Sequence, residues 1–99
     1  MRYNKPVIKS FADKHTSMIW RREPVRIFAL ELQIAALKKL RMLNQSRNIN
    51  DLRIPPSNHL EKLSGNLKGY YSIRINKQWR LCFRFHEGDA YEVKILDYH

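Results

Sequence analysis

Arg80 and Arg84 stand four residues apart in "WRLCFRF", a run that alternates apolar and polar residues, so a strand presents both guanidinium groups on one face. If Asn76-Lys77-Gln78 is a three-residue hairpin loop, Arg74 falls directly opposite Arg80 and Ile75 opposite Trp79; a two-residue loop would mix the two faces. Like charges facing each other destabilise a ladder, and an anion held between them removes that cost. A guanidinium fork grips two phosphoryl oxygens at once. The chain closes on Asp97-Tyr98-His99. The imidazole suits proton transfer near neutral pH, and negative charge at Asp97 and at the terminal carboxylate favours its protonated form. The tyrosine offers a ring on which a base stacks. A cation for charge developing on phosphoryl oxygens and groups that move protons are what RNA cleavage by transesterification requires.

Three strands are needed to position these groups. Tyr71, Ile73 and Ile75 alternate with Ser72, Arg74 and Asn76; Trp79, Leu81, Phe83 and Phe85 alternate with Arg80, Cys82, Arg84 and His86. Glu87-Gly88-Asp89 is a turn, after which Tyr91, Val93 and Ile95 repeat the core alternation. Each strand thus has an apolar core face and a polar face, and Arg80 is assigned to the latter, so its loss is expected to cost activity with little effect on stability.

The amino-terminal half reads differently. Val7 to Phe11 is a short first strand and Ala12 to Arg22 a helix anchored by Trp20. Pro24 suits the first turn of a long helix whose apolar residues recur at Val25, Phe28, Ala29, Leu32, Ala36, Leu40 and Leu43. Ile27, Leu30, Ile34 and Leu37 widen that stripe; the preferred reading makes the helix central to the core, and the other turns part of it toward a partner protein. Arg26, Lys38, Lys39 and Arg41 are placed outward. Asn44 to Asn50 is read as loop, and Pro55-Pro56 blocks any continuation of the helix.

Ninety-nine residues make one domain. With 43% hydrophobic and 11% aromatic residues the chain folds around a packed core. The single cysteine, Cys82, excludes an intramolecular disulfide framework and a multi-cysteine zinc site. No run approaches the ~20 apolar residues of a membrane span, and the first residues lack a signal-peptide core, so a cytoplasmic protein with no membrane partner is expected. Nineteen lysines and arginines against nine carboxylates give +10, a field that draws polyanions. The charge is concentrated: Lys62, Lys68, Arg74, Lys77, Arg80 and Arg84 lie between Glu61 and Glu87 with no carboxylate among them.

The run "LEKLSGNLKGYYSIRINKQWRLCFRF", followed by "GDAYEVKILDYH", resembles the HigB toxins of bacterial type II toxin–antitoxin systems, within the RelE/ParE superfamily and close to the GraT/HigB-like subgroup. The likeness is close from Leu52 to His99 and looser before it, through "IKSF" and the long helix. It implies an α+β, RelE/ParE-like fold, with N-terminal helices packed on a small twisted antiparallel sheet. It also implies a ribosome-dependent mRNA endonuclease that inhibits translation and needs no metal or cofactor. The implied partners are the ribosome and its mRNA, and a HigA-type helix-turn-helix antitoxin through whose complex alone the protein meets operator DNA. By motif, Arg80 becomes the phosphate clamp, while Tyr98 and His99, with Asp97, position the nucleotide and move protons. Arg74, Lys77, Arg84, Lys62, Lys68 and Ser64 make up the RNA-binding set. Many relatives carry lysine where Ser64 stands, and some a histidine at the position of Glu61; Lys62, Lys68 or Lys77 is left to supply the missing charge. Residues 1–6 read as an N-terminal extension.

His59 and His86 are read as solvated, and Cys82 as inert packing with no base beside it. Two other functions fit the same residues: a non-catalytic basic module that binds ribosomal or other RNA, and a ParE-like toxin with a non-RNA target, which gives the arginine face no task.

Overall fold

The computed structural model describes residues 6–97. Helix α1 spans Lys14–Trp20 and α2 spans Leu30–Asn44; strands β1 (Glu61–Lys62), β2 (Tyr71–Arg74), β3 (Trp79–His86) and β4 (Asp89–Asp97) form one antiparallel sheet in that spatial order. Asp13 caps α1 by accepting from the Thr16 amide at 2.7 Å. The buried Thr16 hydroxyl accepts from the Ile95 amide at 3.0 Å, which fixes the helix to β4. The segment expected as a first strand forms only isolated parallel bridges to β4, at Ile8–Ala90 and Phe11–Val93. The Asn44 side-chain oxygen accepts the Val7 and Ile8 amides, tying that segment to the end of α2.

The hairpin register is the one that keeps the faces apart. Arg74 lies opposite Arg80, Ile73 opposite Leu81, and the Ile75 amide donates to the Trp79 carbonyl. Ile73, Ile75, Leu81, Phe83, Val93 and Ile95 are buried beneath α1 and α2, whose Ile19, Leu32, Ala36, Leu40 and Leu43 complete the core.

Four features depart from the sequence reading. The long helix starts at Leu30, six residues after Pro24, because Gln33 holds residues 25–28 as a loop: its amide donates to the Val25 and Phe28 carbonyls and its oxygen accepts from the Val25 amide. Ile27, Leu30 and Ile34 are exposed, so the preferred placement of that stripe in the core fails at these three positions, while Leu37 packs partly against it. The period of two breaks in β4, where Glu92 takes φ +54° at a bulge; Ala90 then takes the core position opposite Phe85, and Tyr91 moves to the other face opposite Arg84. Finally, Lys39 is turned inward, and its ammonium donates to the side-chain oxygen of the fully buried Asn58 at 2.6 Å. Burial, then the neighbouring Lys38 charge, lowers its pKa.

Candidate RNA-binding cleft

On the sheet face turned away from the helices lies a cleft of about 260 Å³ lined by His59, Glu61, Arg74, Asn76, Lys77 and Arg80. Each wall has a separate origin. Glu61 pairs with Ser72 in the short edge strand β1, and Ser72 with Cys82, so Glu61 shares the face that carries Arg74 and Arg80. Asn76 shapes the hairpin loop by accepting from the amides of Gln78 and Trp79, which sets Lys77 at the rim. Arg74 donates to the Asn76 carbonyl at 3.1 Å.

Arg80 forms the floor. It is only 6% exposed, contrary to its assignment to an open polar face. Its Nε donates to the buried Ser72 hydroxyl at 2.7 Å, and its Nη2 donates to the His59 carbonyl. The chain passing over the sheet explains the burial. Residues 56–58 form a 3-10 turn, and His59 follows in the left-handed region at φ +45°. Asn58 secures this segment from below, donating to the Leu52 carbonyl at 3.1 Å while it accepts from Lys39. A guanidinium gripped by the Ser72 hydroxyl and the His59 carbonyl has few rotamers left, so its charge is fixed at the floor of the cleft. The consequence for stability reverses: removing Arg80 leaves buried oxygens without their donor.

The other sequence candidates divide. Lys77 joins the cleft, whereas the register puts Lys62 on the opposite face. Ser64 and Lys68 are exposed in the β1–β2 connection and do not line the cleft. Arg84 shares the face but not the cleft: it pairs with Glu92 at 3.3 Å and lies over the Tyr70 ring at 4.5 Å. Asp97 lies beside the hairpin, opposite Trp79 and accepting from the Gln78 side chain at 3.1 Å. Tyr98 and His99 lie outside the described residues. Cys82 is buried, which pushes its thiol up to about 11, and this fits inert packing. Among the described residues no group of three or more His, Cys, Asp or Glu side chains could hold a metal, and no helix is long and apolar enough to cross a membrane.

Sequence reasoning missed Glu61 and Asn76 and set aside His59. The signal for Glu61 was its place where some relatives carry a histidine; what could not be read was that so short a strand pairs with β2 and puts it on the face of the arginines.

The model of the HigB-like toxin family, described as the RelE-like toxin of the type II toxin–antitoxin system HigB, matches residues 9–99. The chain belongs to that family. A Vibrio cholerae protein named Toxin HigB-1 is 46% identical over 65 residues, 66% of this chain and 68% of the relative. A Proteus vulgaris protein named Endoribonuclease HigB is 45% identical over 40 residues, 40% of this chain and 44% of that one. A solved YoeB–YefM complex from Staphylococcus aureus aligns with 93% of this chain and 97% of its counterpart at a TM-score of 0.60 and 20% identity, which establishes the α+β, RelE-like fold. Membership makes this HigB-like protein the toxin of a toxin–antitoxin pair, with an antitoxin as its partner.

Proposed function

We propose that this toxin is an endoribonuclease that cuts mRNA within the translating ribosome, in the bacterial cytoplasm, and that the cleft is where the scissile phosphate sits. The observation that carries the reading is the buried Arg80 guanidinium, held by Ser72 and His59 at the floor of a cleft walled by Arg74 and Lys77. Cations fixed in advance stabilise the charge that builds on the phosphoryl oxygens without reorganising as it forms. The name of the Proteus vulgaris relative supports the same activity.

In this reaction the ribose 2′-oxygen bonds to the adjacent phosphorus as the bond from phosphorus to the departing 5′-oxygen breaks, leaving a 2′,3′-cyclic phosphate and a 5′-hydroxyl. Glu61, the carboxylate in the cleft lining, accepts the 2′-hydroxyl proton. Arg80, with Arg74, holds the non-bridging oxygens. Asp97 brings the chain to the edge of the hairpin whose Asn76 and Lys77 border the cleft, which supports Tyr98 as the stacking platform and His99 as the donor of a proton to the departing oxygen. Lys77 takes the role of the absent lysine at position 64. So sparse a set of proton-transfer groups needs the substrate in an in-line geometry, which a ribosome imposes on the mRNA it holds.

The test is deletion of residues 98–99, followed by primer extension on ribosome-bound mRNA and a melting curve. Cleavage is expected to fall by at least about 100-fold with the melting temperature little changed, since one proton-transfer group contributes 10²–10⁴. Unchanged cleavage removes the terminal pair from the site, and tight RNA binding by the wild type with no cutting would mean a non-catalytic binding module.

A further inference from the structure

The outer side of α2 carries a second feature, unrelated to the cleft. Ile27, Leu30 and Ile34 are 67%, 68% and 63% exposed, leaving Ile54 as the remaining large apolar residue so exposed among those described. Two hollows meet along this helix. One, of about 340 Å³, lies between Leu30, Ile34 and Leu37 and the Ile19–Pro24 turn; the other, of about 440 Å³, continues past Ile34 and Leu37 to Arg41 and Met42. Leu30, Ile34, Leu37 and Arg41 follow one another at strides of four, three and four, so the seam is straight and about 16 Å long, three turns of helix. Lone exposed apolar residues are ordinary, but a continuous groove of this length is not.

We propose that this groove receives an amphipathic helix of the antitoxin, with apolar residues at three- and four-residue spacing and carboxylates along its flanks. The charge at the rim selects that occupant. Arg22, Lys38 and Arg41 line the hollows and, among the described residues, none of them is in an ion pair; the carboxylate of Glu23 at the same rim is engaged by Arg21 at 3.0 Å. A seam of this stride accepts the ridge of a second helix. A second copy of the toxin fits poorly, because each chain carries +10 and the same basic rim. The inference rests on the toxin–antitoxin assignment and not on the chemistry of the cleft.

Ile34→Glu is the first variant, since its side chain is mostly solvated and the fold, followed by circular dichroism, should be kept. The full-length toxin is titrated with its cognate antitoxin, and growth is followed with and without co-expressed antitoxin. Affinity is expected to fall at least about thirty-fold, as for a central interface residue. Cells are then expected to be poisoned even with antitoxin present, while toxicity in its absence matches the wild type. The double reversal Lys38→Glu/Arg41→Glu should weaken binding about tenfold, and the deficit should shrink as salt is raised. Affinity within threefold of wild type for both variants overturns the proposal and leaves the nuclease reading untouched. It is equally overturned if Ile34→Glu converts a toxin dimer to monomers while the antitoxin still binds and neutralises it.

Discussion

Arg80 and Arg84 stand on the same face of β3, yet one end of the strand holds its arginine from beneath and the other neutralises it. Arg80 is buried and gripped by the Ser72 hydroxyl and the His59 carbonyl, with Arg74 opposite in the ladder and Lys77 at the rim. Arg84 is half exposed, meets the Glu92 carboxylate at 3.3 Å and stacks on Tyr70, whose hydroxyl also donates to Glu92 at 2.5 Å. That hydrogen bond, followed by burial, raises the Tyr70 pKa, so the phenol stays protonated and the cluster is closed on itself. Gly69 adapts to it: at φ +95° a methyl there would meet the Arg84 Nη1 atom at 2.7 Å. The difference teaches that a basic face is not a uniform anion site. Arg84 is tied to a carboxylate and a ring outside the cleft, whereas Arg80 is fixed from beneath at the floor of a cleft that Arg74 and Lys77 also line, the arrangement the proposed phosphate site requires.

Substitution along β3 separates the two ends. Arg80→Ala is expected to give the largest effect, a loss of at least about 100-fold in ribosome-dependent cleavage. It should also cost about 2 kcal/mol, read as a lower denaturation midpoint, because buried oxygens lose a charged donor. Arg80→Lys keeps the charge but cannot reach Ser72 and His59 together, and should restore little activity. An Arg80→Ala protein that cuts at the wild-type rate would erase the distinction between the ends.

Asn58→Ala tests whether the loop sets Arg80 in place. Removing a buried amide that bridges Lys39 and Leu52 should cost about 1–3 kcal/mol and slow cleavage about tenfold, with a normal rate in Arg80-independent functions such as antitoxin binding. A loss of stability with full activity would mean that the loop only packs.

Smaller effects belong to the closed end and its neighbour. Arg84→Ala should change cleavage less than about threefold and stability by under 1 kcal/mol, because an exposed ion pair contributes little. Cys82→Ala should leave cleavage within about twofold, and alkylating reagents should react slowly with the native wild type at pH 8. The thiol's folded pKa is raised from 9.0 to about 11, so its contribution to stability is present below pH 9 and is lost as pH rises through that window.

The parts of this fold that follow a strict period were legible in the sequence. The β2–β3 hairpin came out with its register because only one loop length keeps Ile73 and Ile75 with Leu81 and Phe83, and that register placed Arg74 against Arg80. Features made by contacts far apart in sequence were not. Nothing local shows that Gln33 replaces a helical turn after Pro24, that Glu92 bulges, or that the loop through Asn58 roofs Arg80 and converts a presumed surface group into a buried one. The two-residue strand holding Glu61 is too short to carry any periodicity. For the α2 stripe, the spacing correctly announced more apolar surface than the sheet covers, but the choice between core and partner needed the packed chain.

Cleavage of ribosome-held mRNA at the cleft around Arg80 is the proposed activity. It is tested most directly by incubating purified wild-type and Arg80→Ala toxin with programmed ribosomes and with the same mRNA alone, and mapping breaks by primer extension. Discrete cuts by the wild type only when ribosomes are present, ending in 2′,3′-cyclic phosphates and absent with Arg80→Ala, are the predicted result. Equal cutting of naked RNA, or cuts by Arg80→Ala at the wild-type rate, would contradict it.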